Sequence, residues 1–551
     1  MTQKNKTLSV FENTLRLNKC ATMDVFKTNN GLTNFKPFKE SENIQTAKAF
    51  PAVVNKNNTA YLEATEGGTT TTKSYRVAVL FSGGPAPGGH NVIAGLKKIF
   101  QGPHCLYGVK AGPKGLLQGD LFVLTDDCVA NKFNLGGFDL LGSDRTKIKT
   151  EAQFECVKKT VLTYKLNAIV IIGGDDSNTN ALFLAEKLAE LDCQVIGVPK
   201  TIDGDLQVGN LLPISFGFDT ACKVYSEMVG NILQDTPSSR KYWHVVKLMG
   251  RSASHIALEV GLKTRAQITL ISEEVLAQNL TLKSLAQQIA DVVIKRSKAG
   301  KNYGVILIPE GLIEFIPEYR DLIQRLNDVI AINEKELTAL NAADRFSYIV
   351  KHLSKDQQQL MQSMPVAVRD CLLMDRDAHG NVQVSQIPTE ELVIYYVEDI
   401  INKQVPFNTN RHFFGYEGRC AAPSCFDASL TYNLGLCAAS LIVAGKTAYM
   451  AAISNLTDGG KAYGIPLLDL VHCEKRDGKD SYVIKKALVD LNSPAYQFFK
   501  KEQANRDLTD DDFTHPGPIQ FFGDKQLTDC IPETVSLNQG YRANCFDLGV
   551  H

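Results

Sequence analysis

The loop Lys200–Asp205, reading KTIDGD, sets an ammonium, a hydroxyl and two carboxylates within six residues. Beside a phosphoryl group in transfer, Lys200 would offset the developing negative charge. Asp203 would take the proton of an attacking hydroxyl. A carboxylate of ordinary pKa, about 3.9, is a weak base, so this role demands tight positioning against a hydroxyl that becomes acidic as it attacks. An Asx-type turn closed by Gly204 explains the same residues without chemistry. A second acidic pair, Asp175 and Asp176, comes after Gly173 and Gly174 and opens a segment with Ala181, Leu184, Ala185 and Leu188 at helical spacing. A strand, a glycine turn and a helix start usually receive an anion, so two carboxylates there need a reason. Mg²⁺ held by one or two carboxylates together with substrate phosphates is one, and it makes Asp175 a metal candidate. Helix capping is the other, although Ser177 can supply a cap. The stretch FSGGPAPGGHN, residues 81–91, adds Gly83, Gly84, Gly88 and Gly89, a backbone that an oxyanion can approach closely. It is not a Walker loop, because no Lys–Ser/Thr comes after its last glycine; the AGKT at 444–447 fails as well, since its first glycine would fall at Ser440.

These residues sit at the ends of apolar runs. The runs are 77–84, 168–176, 194–205, 244–251, 266–274 and 303–311, and helical patterns separate most of them. Continuous Val/Ile runs alternating with helices predict parallel strands buried on both faces. Ligands of such sheets gather beyond the carboxyl ends of the strands. Glycines that merely make turns account for one or two of these endings, but not for several that also carry charge.

The chain has 551 residues, enough for two or three compact units; 44% are hydrophobic and 22% charged, the composition of a soluble globular protein. A formal net charge of -1 gives no general pull toward nucleic acid or anionic lipid. The 13 cysteines form no CxxC pair and read as free thiols of a reducing cytosol; the sequence opens with no charged n-region plus apolar h-region, so secretion is not expected. The most membrane-like stretch, 434–453, carries Gly445 and Lys446 near its middle and reads as a buried helix running into a strand. Residues 1–74 are polar and read as an extension with little core of its own; residues 318–392 read as an inserted helical module. No internal repeat is visible.

The motifs GGDDSNTNA, PKTIDGDL, FGFDTA, LMGRSASHIALE, PEGL and FGYEGRCAAPSCFDA, in this order, resemble the phosphofructokinase family, and within it the long, pyrophosphate-dependent type. KKALVDL and HPGPIQFFGD near the C-terminus extend the resemblance, which begins at about Tyr75. It implies an α/β fold of two doubly wound, mainly parallel-sheet lobes with the active site between them. The expected division is an extension at 1–74, a phosphoryl-donor lobe at 75–240, a sugar-phosphate lobe at 241–317, the helical insertion at 318–392, and the remainder of both lobes at 393–551. The reaction implied is Mg²⁺-dependent, reversible transfer of a phosphoryl group from pyrophosphate to the 1-hydroxyl of fructose 6-phosphate, in the cytoplasm.

Residue by residue, the resemblance makes Asp203 the general base, with Thr201, Ile202 and Asp205 in its loop. Asp175 becomes the magnesium residue, and Gly83, Gly174, Asp176 and Lys200 the donor site, with Arg145 and Lys147 of the donor-side loop. Arg251 would contact both sugar and transferring phosphoryl, with Met249 and Gly250 lining the sugar. Glu310 would bond sugar hydroxyls. Tyr416, Glu417, Gly418 and Arg419 would hold the 6-phosphate. Lys241 and Tyr242 fall where the family reaches into a neighbouring subunit, which implies a homo-oligomer, dimer or tetramer, with shared sugar sites. ATP-using members have glycine at the positions of Asp176 and Lys200. A carboxylate where a nucleotide's α-phosphate would lie repels it by about 4 kcal/mol at 4 Å and intermediate dielectric. Pyrophosphate has no third phosphate and escapes that penalty, while Lys200 supplies charge to the shorter donor. Two alternatives stand beside this reading: an ATP-dependent phosphofructokinase, which Asp176 and Lys200 disfavour, and a non-catalytic regulatory subunit, which the retention of Asp175, Asp203 and Arg251 disfavours.

Overall fold

The computed structural model describes residues 20–56, 59–68, 73–333, 339–373, 384–476, 479–517 and 531–540, with isolated positions besides. The end of the expected insertion 318–392 and the HPGPIQFFGD motif lie partly outside the described residues. Two compact units divide the chain. The first runs to Ala221 and resumes from Tyr416 to Ala487; the second takes Cys222–Gly415 and most of the chain from Leu488 onward.

In the first unit the strands are β1 (Asn34–Glu40), β2 (Ala60–Thr65), β3 (Arg76–Ser82), β4 (Cys105–Val109), β5 (Leu121–Val123), β6 (Ser143–Asp144), β7 (Ala168–Gly173) and β8 (Gln194–Pro199). The second unit holds β9 (Trp243–Leu248), β10 (Ile268–Thr269), β11 (Gly304–Pro309) and β12 (Thr409–Phe414); the first resumes with β13 (Tyr449–Ser454), β14 (Lys461–Pro466), β15 (Val471–Arg476) and β16 (Lys479–Ile484). The larger sheet has the order β1-β2-β14-β13-β8-β7-β3-β4-β5, with β6 pairing β3. Its centre, β13-β8-β7-β3-β4, is parallel and its flanks antiparallel. All six residues of β7, AIVIIG, are buried, as a central parallel strand requires.

The order places β7 and β4 on opposite sides of β3, although β3 precedes both. The chain therefore reverses its direction of travel at the β3–β7 pair. That is the switch point beyond which open α/β sheets bind ligands, and Gly83 and Gly174 lie there.

The expectation that residues 1–74 carry little core needs correction. β1 and β2 join the sheet through β14. Phe50, Val53 and Tyr61 are buried in the same apolar cluster as Ala78 and Leu80. The stretch 434–453 lies on a helix, Cys425–Val443, that leads into β13; 83% of its most apolar window is buried, as for a core helix. The eleven described cysteines are free.

The second unit has the wholly parallel sheet β10-β11-β9-β12. The single Trp, Trp243, sits in its core with Val245, Ile306 and Ile308. The helical segment read as an insertion packs into that same core through Leu322, Leu326, Ile349, Met361 and Leu372. It completes the apolar cover of this sheet.

Candidate functional site

Three adjacent strand ends of the first unit carry the predicted donor residues. After β3 the chain turns at Gly83, whose φ of +85° suits glycine. A Cβ there would stand 3.1 Å from Lys200 Nζ, and one on Gly84 would meet Arg419 at 3.3 Å and Arg145 at 3.7 Å. Three cations thus crowd a side-chain-free turn. The Lys200 amide donates to Gly173 O at 2.9 Å, locking the end of β8 to the end of β7. Burial, then the Arg419 and Arg145 charges, push the Lys200 ammonium down to about 7, against the pull of Asp203 and Asp175. An anion in this cradle would restore its charge.

After β7 comes the helix Asp175–Lys187, which we label α1. Its N-cap is Gly174, which makes no side-chain cap, so Asp175 and Asp176 occupy the first two helical positions. Ser177 does not cap the helix; its hydroxyl donates to Ser82 Oγ at 2.8 Å. The carboxylates interact favourably with the helix dipole, and each has its own lysine. Asp176 Oδ1 lies 3.5 Å from Lys147 Nζ, and Asp175 Oδ2 lies 3.8 Å from Lys486 Nζ. Asp175 is a single carboxylate at the mouth of a glycine turn, and among the described residues no group of three or more His, Cys, Asp or Glu is placed to hold an ion. That donor set fits Mg²⁺ arriving with phosphate oxygens and water.

After β8 the KTIDGD loop is held by Thr201. Its hydroxyl accepts from Asp203 N at 3.0 Å and donates to Asp205 Oδ1 at 3.2 Å, while Gly204 turns the chain at φ +74°. Ile202 is fully buried and anchors the loop. Among the described residues, buried Asp203 Oδ1 receives no hydrogen bond; its charged neighbour is Arg419, 3.6 Å away. Asp205 is pushed up to about 7 by burial and by Asp203 and Asp175, with Lys486 and the Thr201 hydroxyl opposing. The Asx-turn alternative is thus met by a threonine-held turn, which leaves Asp203 Oδ1 without a backbone donor.

Arg419, expected on the sugar phosphate, reaches into this group and donates to Pro85 O at 3.4 Å. It belongs to the short helix Tyr416–Arg419, which also holds Glu417 and the buried Gly418; Tyr416 is 66% exposed. Two other shared motifs prove structural. Asp427 of CFDA accepts from the amides of Gly217 and Thr220 in FGFDTA at 3.0 and 2.9 Å, and burial with Asp219 nearby pushes it up to about 7.

The second unit carries the sugar candidates Met249, Gly250, Arg251 and Glu310 at the carboxyl ends of β9 and β11, whereas Tyr416–Arg419 belong to the first unit. Met249 N donates to Phe414 O at 3.1 Å. Gly250, at φ +122°, donates its amide to Glu310 Oε1 at 3.3 Å. Glu310 and Met249 are buried. Gly311 lies against the Arg251 backbone, where a Cβ would meet Arg251 O at 1.9 Å. Gly311→Ala is therefore expected to cost about 1–3 kcal/mol of stability by overpacking, read as a lowered Tm of the full chain. Lys241 and Tyr242 are not part of this group. They precede Trp243 at the opposite end of β9, and both are exposed. Six extended residues separate the ends by about 20 Å.

Sequence reasoning missed Lys486, the partner of Asp175, since nothing local links positions so distant in the chain. It also missed Ser143, whose hydroxyl donates to Gly83 O at 2.5 Å.

Glycine turns, paired carboxylates and cations at the switch point of an α/β sheet suit a phosphorylated ligand. The phosphofructokinase family model matches residues 76–442, and the chain belongs to the phosphofructokinase family. It is 46% identical over 483 residues to "Pyrophosphate--fructose 6-phosphate 1-phosphotransferase" of Treponema pallidum, covering 85% of this chain and 84% of that one. The Porphyromonas gingivalis protein of the same description is 47% identical over 481 residues, 85% and 87% of the two chains. The "subunit beta" so described from Solanum tuberosum is 43% identical over 515 residues, 91% and 88% of the two chains.

Proposed function

We propose that this chain transfers a phosphoryl group from pyrophosphate to the 1-hydroxyl of fructose 6-phosphate, giving fructose 1,6-bisphosphate and phosphate, reversibly. The observation that carries the choice of donor is the pairing of Asp176 with Lys147, together with the Lys200 ammonium that fills the space a Cβ on Gly83 would face. Together they fill and charge the strand ends where a longer donor would need open glycine. The first unit carries the residues of this reading for the donor and the proton, and Met249, Gly250, Arg251 and Glu310 of the second are its residues for the sugar. Asp203 takes the hydroxyl proton as the sugar oxygen bonds to the terminal phosphorus and the bond to the leaving phosphate breaks. Lys200 and Arg251 balance charge on the equatorial oxygens, and Arg145 and Lys147 hold the donor. Magnesium, held by Asp175 with the donor's own oxygens, would supply further charge neutralisation. Positioning and electrostatics carry the rate, as in phosphoryl transfer generally.

The enzyme acts as a cytoplasmic homo-oligomer, dimer or tetramer, in this reading. Support for shared sugar sites comes from the placement of Lys241 and Tyr242 about 20 Å along β9 from Gly250. One strand cannot offer both ends to one sugar, so the exposed pair is left for another copy. The direct test is turnover of the purified chain with pyrophosphate and with ATP. Pyrophosphate turnover alone upholds the proposal; ATP turnover alone, or none with either, overturns it.

The Lys200 environment adds a pH signature. With its ammonium pushed down to about 7, Lys200 is largely neutral in the empty site at pH 8. A bound polyanion favours the charged form, so its pKa rises and a proton is taken up. Calorimetry at pH 8 in buffers of different ionisation enthalpy should show proton uptake on pyrophosphate binding, lost in Lys200→Met.

A further inference from the structure

The KKALVDL stretch is a family-like motif that the reaction above does not use. Its Lys486 lies just past β16, and two backbone bonds fix the chain on either side of it. Ile484 N donates to Thr179 Oγ1 at 3.2 Å, and that hydroxyl donates to Asp175 O at 2.9 Å in the first turn of α1. Ala487 N donates to Asp205 O at 2.7 Å in the base loop. Tyr482 of β16 packs against Phe50 and Phe183, the latter on α1, with ring centroids 5.4 and 6.5 Å apart. The backbone at Lys486 is thereby tied to both loops that carry the predicted chemistry. Its side chain spans the gap to put Nζ 3.8 Å from Asp175 Oδ2, with a third of the lysine and a quarter of the aspartate side chain exposed.

An ammonium there competes with a divalent cation for the same carboxylate. A metal at Asp175 would displace the ammonium from that carboxylate, while the backbone around Lys486 stays tied to both loops. Phosphate oxygens arriving with the metal would offer the ammonium a new anion, beside Asp205, whose carboxylate it already faces.

Resting on the reading of the reaction given above, we propose that Lys486 is a donor-positioning residue: it holds Asp175 in the empty enzyme and passes to the oxygens of pyrophosphate when the metal-bound donor arrives. Two effects of opposite sign result. Without Lys486, Asp175 binds a bare divalent ion more tightly, because a competing charge is gone. Without Lys486, the donor binds more weakly, because one charge-assisted hydrogen bond is gone.

The test compares the full chain with Lys486→Met and Lys486→Arg. Mn²⁺ titrations monitored by electron paramagnetic resonance, with no pyrophosphate present, should show Lys486→Met binding the ion a few-fold more tightly. Its KM for pyrophosphate should rise about tenfold, the size of one charge-assisted hydrogen bond, with KM for fructose 6-phosphate unchanged. Lys486→Arg should restore most of the donor KM. A wild type that turns over pyrophosphate beside a Lys486→Met chain unchanged in both measurements overturns this inference alone. So does a Lys486→Met chain weakened toward ion, donor and sugar alike with a lowered Tm, which is the behaviour of a structural strut. A wild type inactive with pyrophosphate overturns the reading of the reaction and this inference with it.

Discussion

Replacing Asp176 and Lys200 together by glycine is expected to cut pyrophosphate turnover by about 10²–10³ and to open the site to ATP. The loss stems from Lys200. Its ammonium is held beside Gly83 and aimed where the donor's charge develops, and removing one preorganised charge-stabilising group costs about that factor. The gain stems from Asp176. Its carboxylate against an α-phosphate at about 4 Å costs about 4 kcal/mol, roughly a thousandfold in affinity. Lys147, now 3.5 Å from Asp176 Oδ1, would be released toward the third phosphate by the same substitution. The single variants separate the two effects. Lys200→Gly alone should lose pyrophosphate turnover without gaining ATP use, because the repelling carboxylate remains. Asp176→Gly alone should admit ATP while keeping part of the pyrophosphate rate. Parallel assays with both donors at saturating sugar decide the matter. A double variant with unchanged rate and donor preference would show that donor choice resides elsewhere.

The parts of this site that the sequence discloses are those where one local pattern carries both fold and chemistry. β7 is a continuous apolar run because parallel neighbours bury both of its faces. Its end is visible because Gly173, Gly174 and two acids break the run. The KTIDGD loop is visible for the same reason. β1 is hidden by the same physics: NFKPFKE lies at the sheet edge with most of its residues exposed, so no apolar run announces it. β12, TNRHFF, is half-exposed at the edge of the second sheet and equally silent. The pairing of Asp175 with Lys486 cannot be read locally, because it depends on β16 being tied to α1 through Thr179. The Arg419–Asp203 contact is hidden likewise. The family motif indicates that an arginine is needed, but only the fold shows which carboxylate it rests on. The apolar faces in 318–373 are legible as helices, yet periodicity cannot say that they cover the sheet around Trp243.

Asp203→Ser should lower turnover by about 10²–10⁴, the usual contribution of a positioned general base, while leaving the fold and the sugar affinity intact. The geometry explains why the two should part. Asp203 is held through its backbone amide by Thr201, an arrangement that a serine amide preserves. Its carboxylate Oδ1 takes no hydrogen bond among the described residues, so little of the loop depends on it. The substitution also frees Arg419, whose guanidinium lies 3.6 Å from that oxygen, to meet an anion. Fructose 6-phosphate should therefore bind as tightly as to the wild type or more so, and calorimetry on the full chain reads this directly. Asp203→Asn, which keeps the shape and removes the base, should match the loss of turnover. Raising pH should not rescue either variant, because neither serine nor asparagine becomes a base in the accessible range. If sugar binding vanishes with turnover in both variants, Asp203 is holding the loop rather than taking the proton, and the base must be sought at Asp205, the carboxylate that the Thr201 hydroxyl bonds.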